Sequence, residues 1–214
     1  SLFIYLIHRC KNNLQPKLLY LLGFSLGMII LIRPLNGLIV LFIPFLLGSL
    51  NHLILFIKQV FKHKVHLFIS MLMCLAMVSI QLIFYKMATG SYFIKSYGEE
   101  GFNFFDPHMI AILFSYKKGL FLYTPIYLIS MFGLYFVFRT SKFQFFSWTS
   151  FFLFLSYILS SWWMWFYGGS FSSRVYVDYL AIFGILLAIS LKELRHKKAR
   201  ASFIPYRDYC TRTS

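Results

Sequence analysis

The chain reads as an all-α protein, a polytopic membrane bundle of about six transmembrane helices with a short interfacial helix in its main outer loop. Three observations predict this. Hydrophobic residues make up 59% of the sequence and charged residues 13%, with 27 Phe and 15 Tyr, too little polar surface to coat a soluble globule. The apolar residues fall in runs close to the roughly 20 needed to cross hydrocarbon. The net charge of +15 lies in short basic clusters between those runs, a topogenic pattern and not a stripe suited to nucleic acid.

In chain order, Leu2 to Ile7 resembles the last turns of a helix that began earlier, and there is no initiator Met, so the chain is expected to be the C-terminal part of a longer protein. A basic connector, Arg9 to Lys17, leads to a first span at about 18–32. Pro34 disfavours helix at Arg33, so the chain breaks there and restarts at Leu35. The second span, about 35–57, holds Pro44 and should kink. After the basic loop Lys58 to His66 comes a third span at 67–85, then the main outer loop 86–118. Spans at 119–138, 145–165 and 176–191 follow, before a basic run to Arg200 and a cytoplasmic tail over 201–214. Residues 1–200 are read as one membrane domain. Cys74 falls inside a span and Cys10 and Cys210 in basic flanks, so no disulfide is expected.

Six crossings place alternate loops on one side. Arg9, Lys11, Lys17, Lys58, Lys62, Lys64, Arg139, Lys142 and the basic run from Lys192 share a side, which positive-inside counting makes cytoplasmic, with the C-terminus there. The opposite side holds Arg33, Lys86, Lys95, Lys117, Lys118 and Arg174, together with Glu99, Glu100, Asp106 and Asp178. Four of the six carboxylates therefore face outward beside a few cations. Such a mixture suits a polar site at the outer face, although solvated loop charges would look the same.

Two stretches carry most of the functional signal. In Trp162 to Asp178, Trp162, Trp163, Trp165 and Tyr167 suit the interface between hydrocarbon and water, and Gly168-Gly169 lets a helix end and the chain turn back. If the next helix has begun at Arg174, then Arg174 and Asp178 share a face. The stretch is either a headgroup or phosphate site, or an aromatic belt with a local ion pair. In the outer loop, Asp106-Pro107 reads as an N-cap followed by Pro at the first helical position. A short interfacial helix over His108 to Tyr116 would follow, with Met109, Ile112, Leu113 and Tyr116 on its apolar face. Lys117 and Lys118 could grip a lipid-linked phosphate or snorkel to headgroups. Glu99-Glu100 could bind a divalent cation, but no third ligand stands at a diagnostic spacing. His108 reads as a surface residue.

Several motifs form an ordered set. Gly23-Phe-Ser-Leu-Gly27 leads to Ile32-Arg33-Pro34-Leu35-Asn36. Ala88-Thr-Gly90, Phe102 to Pro107, Leu113 to Pro125, and Trp163 to Asp178 follow. The set resembles the C-terminal membrane half of bacterial polytopic glycosyltransferases of the C type, similar to protein O-mannosyltransferases and lipid A sugar transferases. The resemblance covers most of Gly23 to Leu191. It implies an enzyme of the bacterial inner membrane and cell envelope. That enzyme would transfer a sugar from a polyprenyl-phosphate donor to an extracytoplasmic acceptor, by an inverting displacement with a carboxylate as general base.

In enzymes of this type the catalytic acid lies in the first outer loop, and this chain is expected to begin beyond it, so no catalytic residue is assigned. On this reading Arg33, Lys117, Lys118 and Arg174 bind the donor phosphate. Asp106, Asp178, Glu99 and Glu100 bind acceptor hydroxyls or orient the cations. No cofactor is assigned beyond the divalent cation that Glu99-Glu100 could bind, and the expected partners are the bilayer, the polyprenyl-phosphate-linked sugar, and a missing N-terminal portion or partner chain. A non-catalytic membrane subunit, or a flippase or transporter for a lipid-linked glycan, fits the same topology. A transporter should carry charges mid-span, however, and here the span interiors hold no Lys, Arg, Asp or Glu.

Overall fold

The computed structural model describes residues 2–12, 14–90, 101–169 and 171–203. In order these form α1 (Leu2–Asn12), α2 (Pro16–Ile32), a 3₁₀ helix (Pro34–Phe42), α3 (Ile43–Leu47), α4 (Leu50–Lys62) and α5 (Lys64–Thr89). Next come α6 (Met109–Phe114), α7 (Leu120–Tyr123), α8 (Pro125–Thr140), α9 (Lys142–Ser160), a second 3₁₀ helix (Arg174–Tyr179) and α10 (Leu180–Phe203). Among the described residues extended pairing is confined to one isolated bridge, Phe102 to Trp162. The expected all-α class holds. Lys64–Thr89, Lys142–Ser160 and Arg174–Arg195 are long and apolar enough to cross a membrane, which marks the chain as a membrane protein. The chain divides into two compact units, residues 1–107 with 143–163, and residues 108–142 with 164–214.

In the first unit, α1 continues past the point where the basic residues suggested a connector. Phe3, Leu6, Ile7 and Cys10 recur at helical spacing and are all buried, so the apolar stripe carries the helix through Arg9 and Lys11. Cys10 belongs to this core and not to a solvated flank. The break at Arg33-Pro34 is present as expected: α2 stops at Ile32, Arg33 is extended (φ −151°), and the chain restarts as a 3₁₀ helix.

The run 35–57, expected to be one kinked helix, is instead divided. Pro44 opens α3 in its first turn, where its missing N–H is not needed. Gly48 then ends α3 in the left-handed region at φ +83°, which a side chain would resist, and Ser49 caps α4 by accepting from the His52 N–H at 3.3 Å.

Helix α5 packs along α2 through small residues. A Cβ on Gly23 would fall 2.2 Å from the Ser70 carbonyl oxygen, and one on Gly27 would fall 2.8 Å from Met77 Cβ. Such spacing of small residues lets membrane helices approach closely. Ser70 Oγ donates to the Leu19 carbonyl at 2.7 Å, and Tyr20 Oη meets His66 Nδ1 at 2.5 Å. Residue numbers climb together along this seam, so α2 and α5 run parallel. Ser70 is the one residue of α5 that is buried, and the rest of its length presents apolar surface outward.

The second unit has a matching seam between α8 and α10. A Cβ on Gly133 would lie 2.4 Å from the Leu186 carbonyl oxygen, and the Tyr127 and Phe183 rings meet edge to face at 4.6 Å. Pro125 starts α8 and does not kink a longer helix, because α7 ends with Thr124 in a non-helical conformation.

Candidate functional site

Three of the cations predicted for the outer side, Lys117, Lys118 and Arg174, come together in the second unit. The short helix α6 buries Ile112 completely, while Ile110, Phe114 and Tyr116 are exposed. The chain then turns through Lys117 and Lys118 into α7, at Gly119, where a Cβ would fall 2.6 Å from the Ser115 amide nitrogen. Ser173, from the distant aromatic stretch, closes the arrangement. Its hydroxyl lies 2.7 Å from the Lys118 carbonyl and 3.1 Å from the Ile112 carbonyl, and it shares its proton between them. Arg174, the next residue, is thereby held beside the Lys117-Lys118 turn.

Lys118 Nζ donates to the Gly168 carbonyl, and Lys117 Nζ stands 3.5 Å from the centroid of the Phe166 ring, a cation–π contact. Trp165 meets Phe166 at 5.8 Å and His108 at 6.0 Å, both edge to face. Gly168 is at φ +70°, and this left-handed turn brings its carbonyl round to the lysine. Tyr167 and Ser172 also lie at positive φ, 49° and 52°, conformations that side chains disfavour and that cluster at functional sites. Ser172 is buried, and its hydroxyl lies 3.4 Å from Thr124 Oγ1.

Partial burial, the charge of Arg174 and then that of Lys117 hold the Lys118 ammonium below the ordinary lysine range. Three cations drawn from two separate segments are thus packed within electrostatic reach against their own repulsion. An anion entering among them would relieve it. A phosphate is the natural match, because Arg offers a planar fork of donors and the lysines point charges.

The remaining predicted residues are placed as follows. Arg33 is exposed in the first unit, between α2 and the 3₁₀ helix; its N–H donates to Ile29 O at 3.2 Å, and its carbonyl accepts from the Asn36 N–H at 2.9 Å. Asp106 is exposed, also in the first unit. It does not cap a helix, since α6 begins at Met109 with His108 at its cap and Pro107 outside. The Asp106 N–H instead closes a turn onto Asn103 O at 3.3 Å, ahead of the helix.

Asp178 is exposed on the segment Arg174–Tyr179. That segment is 3₁₀ and not α-helical, so with three residues per turn Arg174 and Asp178 stand roughly 120° apart and do not share a face. Glu99, Glu100 and Lys95 lie outside the described residues. Among the described residues no three of His, Cys, Asp and Glu gather as metal ligands.

A second joining, within the first unit, links residues 101–104 to the end of α9 and the aromatic stretch after it. The Asn103 N–H donates to Ser161 O at 2.6 Å and the Trp163 N–H to Gly101 O at 3.0 Å, framing the Phe102–Trp162 bridge. Phe102 stacks on Phe104 at 5.5 Å and meets Trp162 at 4.9 Å, and Tyr157 Oη donates to Phe104 O at 2.8 Å. The sequence singles out Phe102, Phe104 and Trp162 but not Tyr157 or Ser173, and the role of Ser173 rests on two carbonyls that no local pattern announces. The chain matches no family model, no curated protein and no solved structure.

Proposed function

We propose that this chain is the membrane part of a glycosyltransferase that moves a sugar from a polyprenyl-phosphate donor to an extracytoplasmic acceptor, with Lys117, Lys118 and Arg174 holding the donor phosphate. The observation that carries this reading is the gathering of the three cations about Lys118, whose ammonium is pressed by Arg174 and Lys117. The motif resemblance supplies the reaction class. In the transfer, an acceptor hydroxyl oxygen forms a bond to the anomeric carbon while that carbon's bond to the phosphate oxygen breaks. The hydroxyl proton passes to a carboxylate base, and the lipid phosphate leaves with an added negative charge. Cations fixed beforehand stabilise that charge where it develops.

The same reading has six crossings, built from Pro16–Ile32, 34–57, α5, 120–140, α9 and Arg174–Arg195. Helix α6 lies in the outer interface, the C-terminus is cytoplasmic, and the membrane is the bacterial inner membrane. Pro16–Ile32, Pro34–Leu47 and Pro125–Thr140 are apolar, though shorter than a full crossing. Asp178, in the same unit as the three cations, keeps its proposed role of binding the acceptor or orienting Arg174. The basic helix ends near Lys17, Lys62, Lys64 and Lys142 support the orientation.

The test is binding and transfer in proteoliposomes with a polyprenyl-phosphate-linked sugar. The Lys118→Gln/Arg174→Gln variant should bind donor at least roughly 100-fold more weakly, since each of the two charge-assisted hydrogen bonds contributes about 1.5–3 kcal/mol. Unchanged donor affinity overturns the phosphate assignment. Tight donor binding with no transfer by the full-length protein favours the non-catalytic subunit or flippase instead.

A further inference from the structure

We propose that the first unit carries a separate binding site for one anionic phospholipid, with an acyl chain in an apolar cavity and the phosphate on Lys17, Lys62 and Lys64. The cavity has a volume of about 400 Å³ and is lined by α1, α2, the first 3₁₀ helix, α3, α4 and α5, with Leu19, Leu22, Phe56, Val60, Leu67 and Met71 among the walls. That volume falls within the roughly 300–1,000 Å³ of pockets that take small ligands.

Its chemistry restricts the occupant. The polar side chain in the lining, Ser70, already donates to Leu19 O at 2.7 Å, so water entering the cavity would find almost no partners. An apolar void of this size left empty destabilises in proportion to its volume. Met71 lines the cavity and is itself 56% exposed, so the cavity opens at the outer surface of α5, the helix that is long and apolar enough to cross the bilayer. The medium at that opening is lipid hydrocarbon.

One end of the cavity is marked by charge. The seam from Tyr20–His66 to Gly27–Met77 shows that α2 and α5 begin at the same end, and α4 finishes there because it runs directly into α5. Lys17, Lys62 and Lys64 therefore surround the end at which Leu19, Val60 and Leu67 line the wall, and all three are exposed. Helices α1, α2, α4 and α5 contain no Asp or Glu, so nothing on them offsets this charge. A basic rim above an apolar slot between membrane helices complements an anionic headgroup with its chain inserted. The site rests on the first unit alone and does not depend on sugar transfer.

Native mass spectrometry of the full chain, titrated with phosphatidylglycerol, phosphatidylcholine of the same acyl chains and a polyprenyl phosphate, tests it. Phosphatidylglycerol should be retained at least tenfold more tightly than phosphatidylcholine. The Lys17→Gln/Lys62→Gln/Lys64→Gln variant should lose roughly 100-fold in affinity, given the usual contribution of an interfacial lysine, and the matching Arg variant should lose little. Val60→Trp, which fills the slot, should abolish the thermal shift that phosphatidylglycerol produces. Equal retention of the two phospholipids, undiminished affinity in the Gln variant, or preference for the polyprenyl phosphate each overturns the proposal.

Discussion

The Ser173 hydroxyl lies 2.7 Å from the carbonyl of Lys118, and this hydrogen bond ties the segment bearing Arg174 to the turn bearing Lys117 and Lys118. Both ends are backbone or short side chain, so the link places the cations without using their charges. Ser173→Ala leaves the carbonyls of Lys118 and Ile112 without this donor and should destabilise the second unit by about 1–3 kcal/mol. Thermal unfolding in detergent reads the loss. Donor affinity should fall with it, and Ser173→Thr should recover both.

Lys118 yields opposite predictions for stability and for binding. Its folded-state pKa lies below that of a free lysine, so carrying the charge destabilises the folded chain wherever Lys118 is protonated, and the penalty fades as pH rises through the folded pKa. Lys118→Met removes that penalty together with the hydrogen bond to the Gly168 carbonyl, and should bind the donor phosphate more weakly. In the unaltered chain, phosphate affinity should decline with rising pH before an ordinary lysine would lose its proton. Lys118→Arg should remove that decline, and a donor-binding profile from pH 7 to 10 distinguishes the two.

Close helix packing sets the third prediction. Gly133→Ala would put a Cβ 2.4 Å from the Leu186 carbonyl oxygen, and Gly23→Ala would put one 2.2 Å from that of Ser70; both are backbone atoms that cannot swing aside. Each should destabilise its own unit by about 1–3 kcal/mol, as overpacking does elsewhere. Gly169→Ala, with open space around it, should have little effect on thermal unfolding.

Orientation is tested by labelling single cysteines in a cysteine-free background. Cysteines replacing Lys62 and Lys142 should be reached only after the membrane is opened. Cysteines replacing Asp106 and Gly169 should react with an impermeant reagent from outside. Labelling of Lys62→Cys from outside would reverse the proposed orientation.

Much of this arrangement can be read from residues alone. The break at Arg33-Pro34 follows from proline's clash with a preceding helical residue, and the apolar runs show where helices lie. The division of the second run at Gly48 escaped notice because a Gly-Ser pair is ordinary inside a membrane helix, and only the left-handed backbone there reveals a stop. Pro44 suggested a kink, and it stands instead in the first turn of a new helix, as Pro125 does.

Sequence by itself thus determined the class of this protein and where its charges fall along the chain, because hydrophobicity, helix breaking and charge are local properties of the chain. Tertiary structure decided which of them stand together. Lys118 and Arg174 come from segments far apart in sequence, and their meeting depends on a serine hydroxyl reaching two carbonyls across that gap. A hydrogen bond of this kind is set by where helices pack, and the packing depends on the fit of Gly23 against Ser70 in one unit and Gly133 against Leu186 in the other, which no periodicity in the chain encodes.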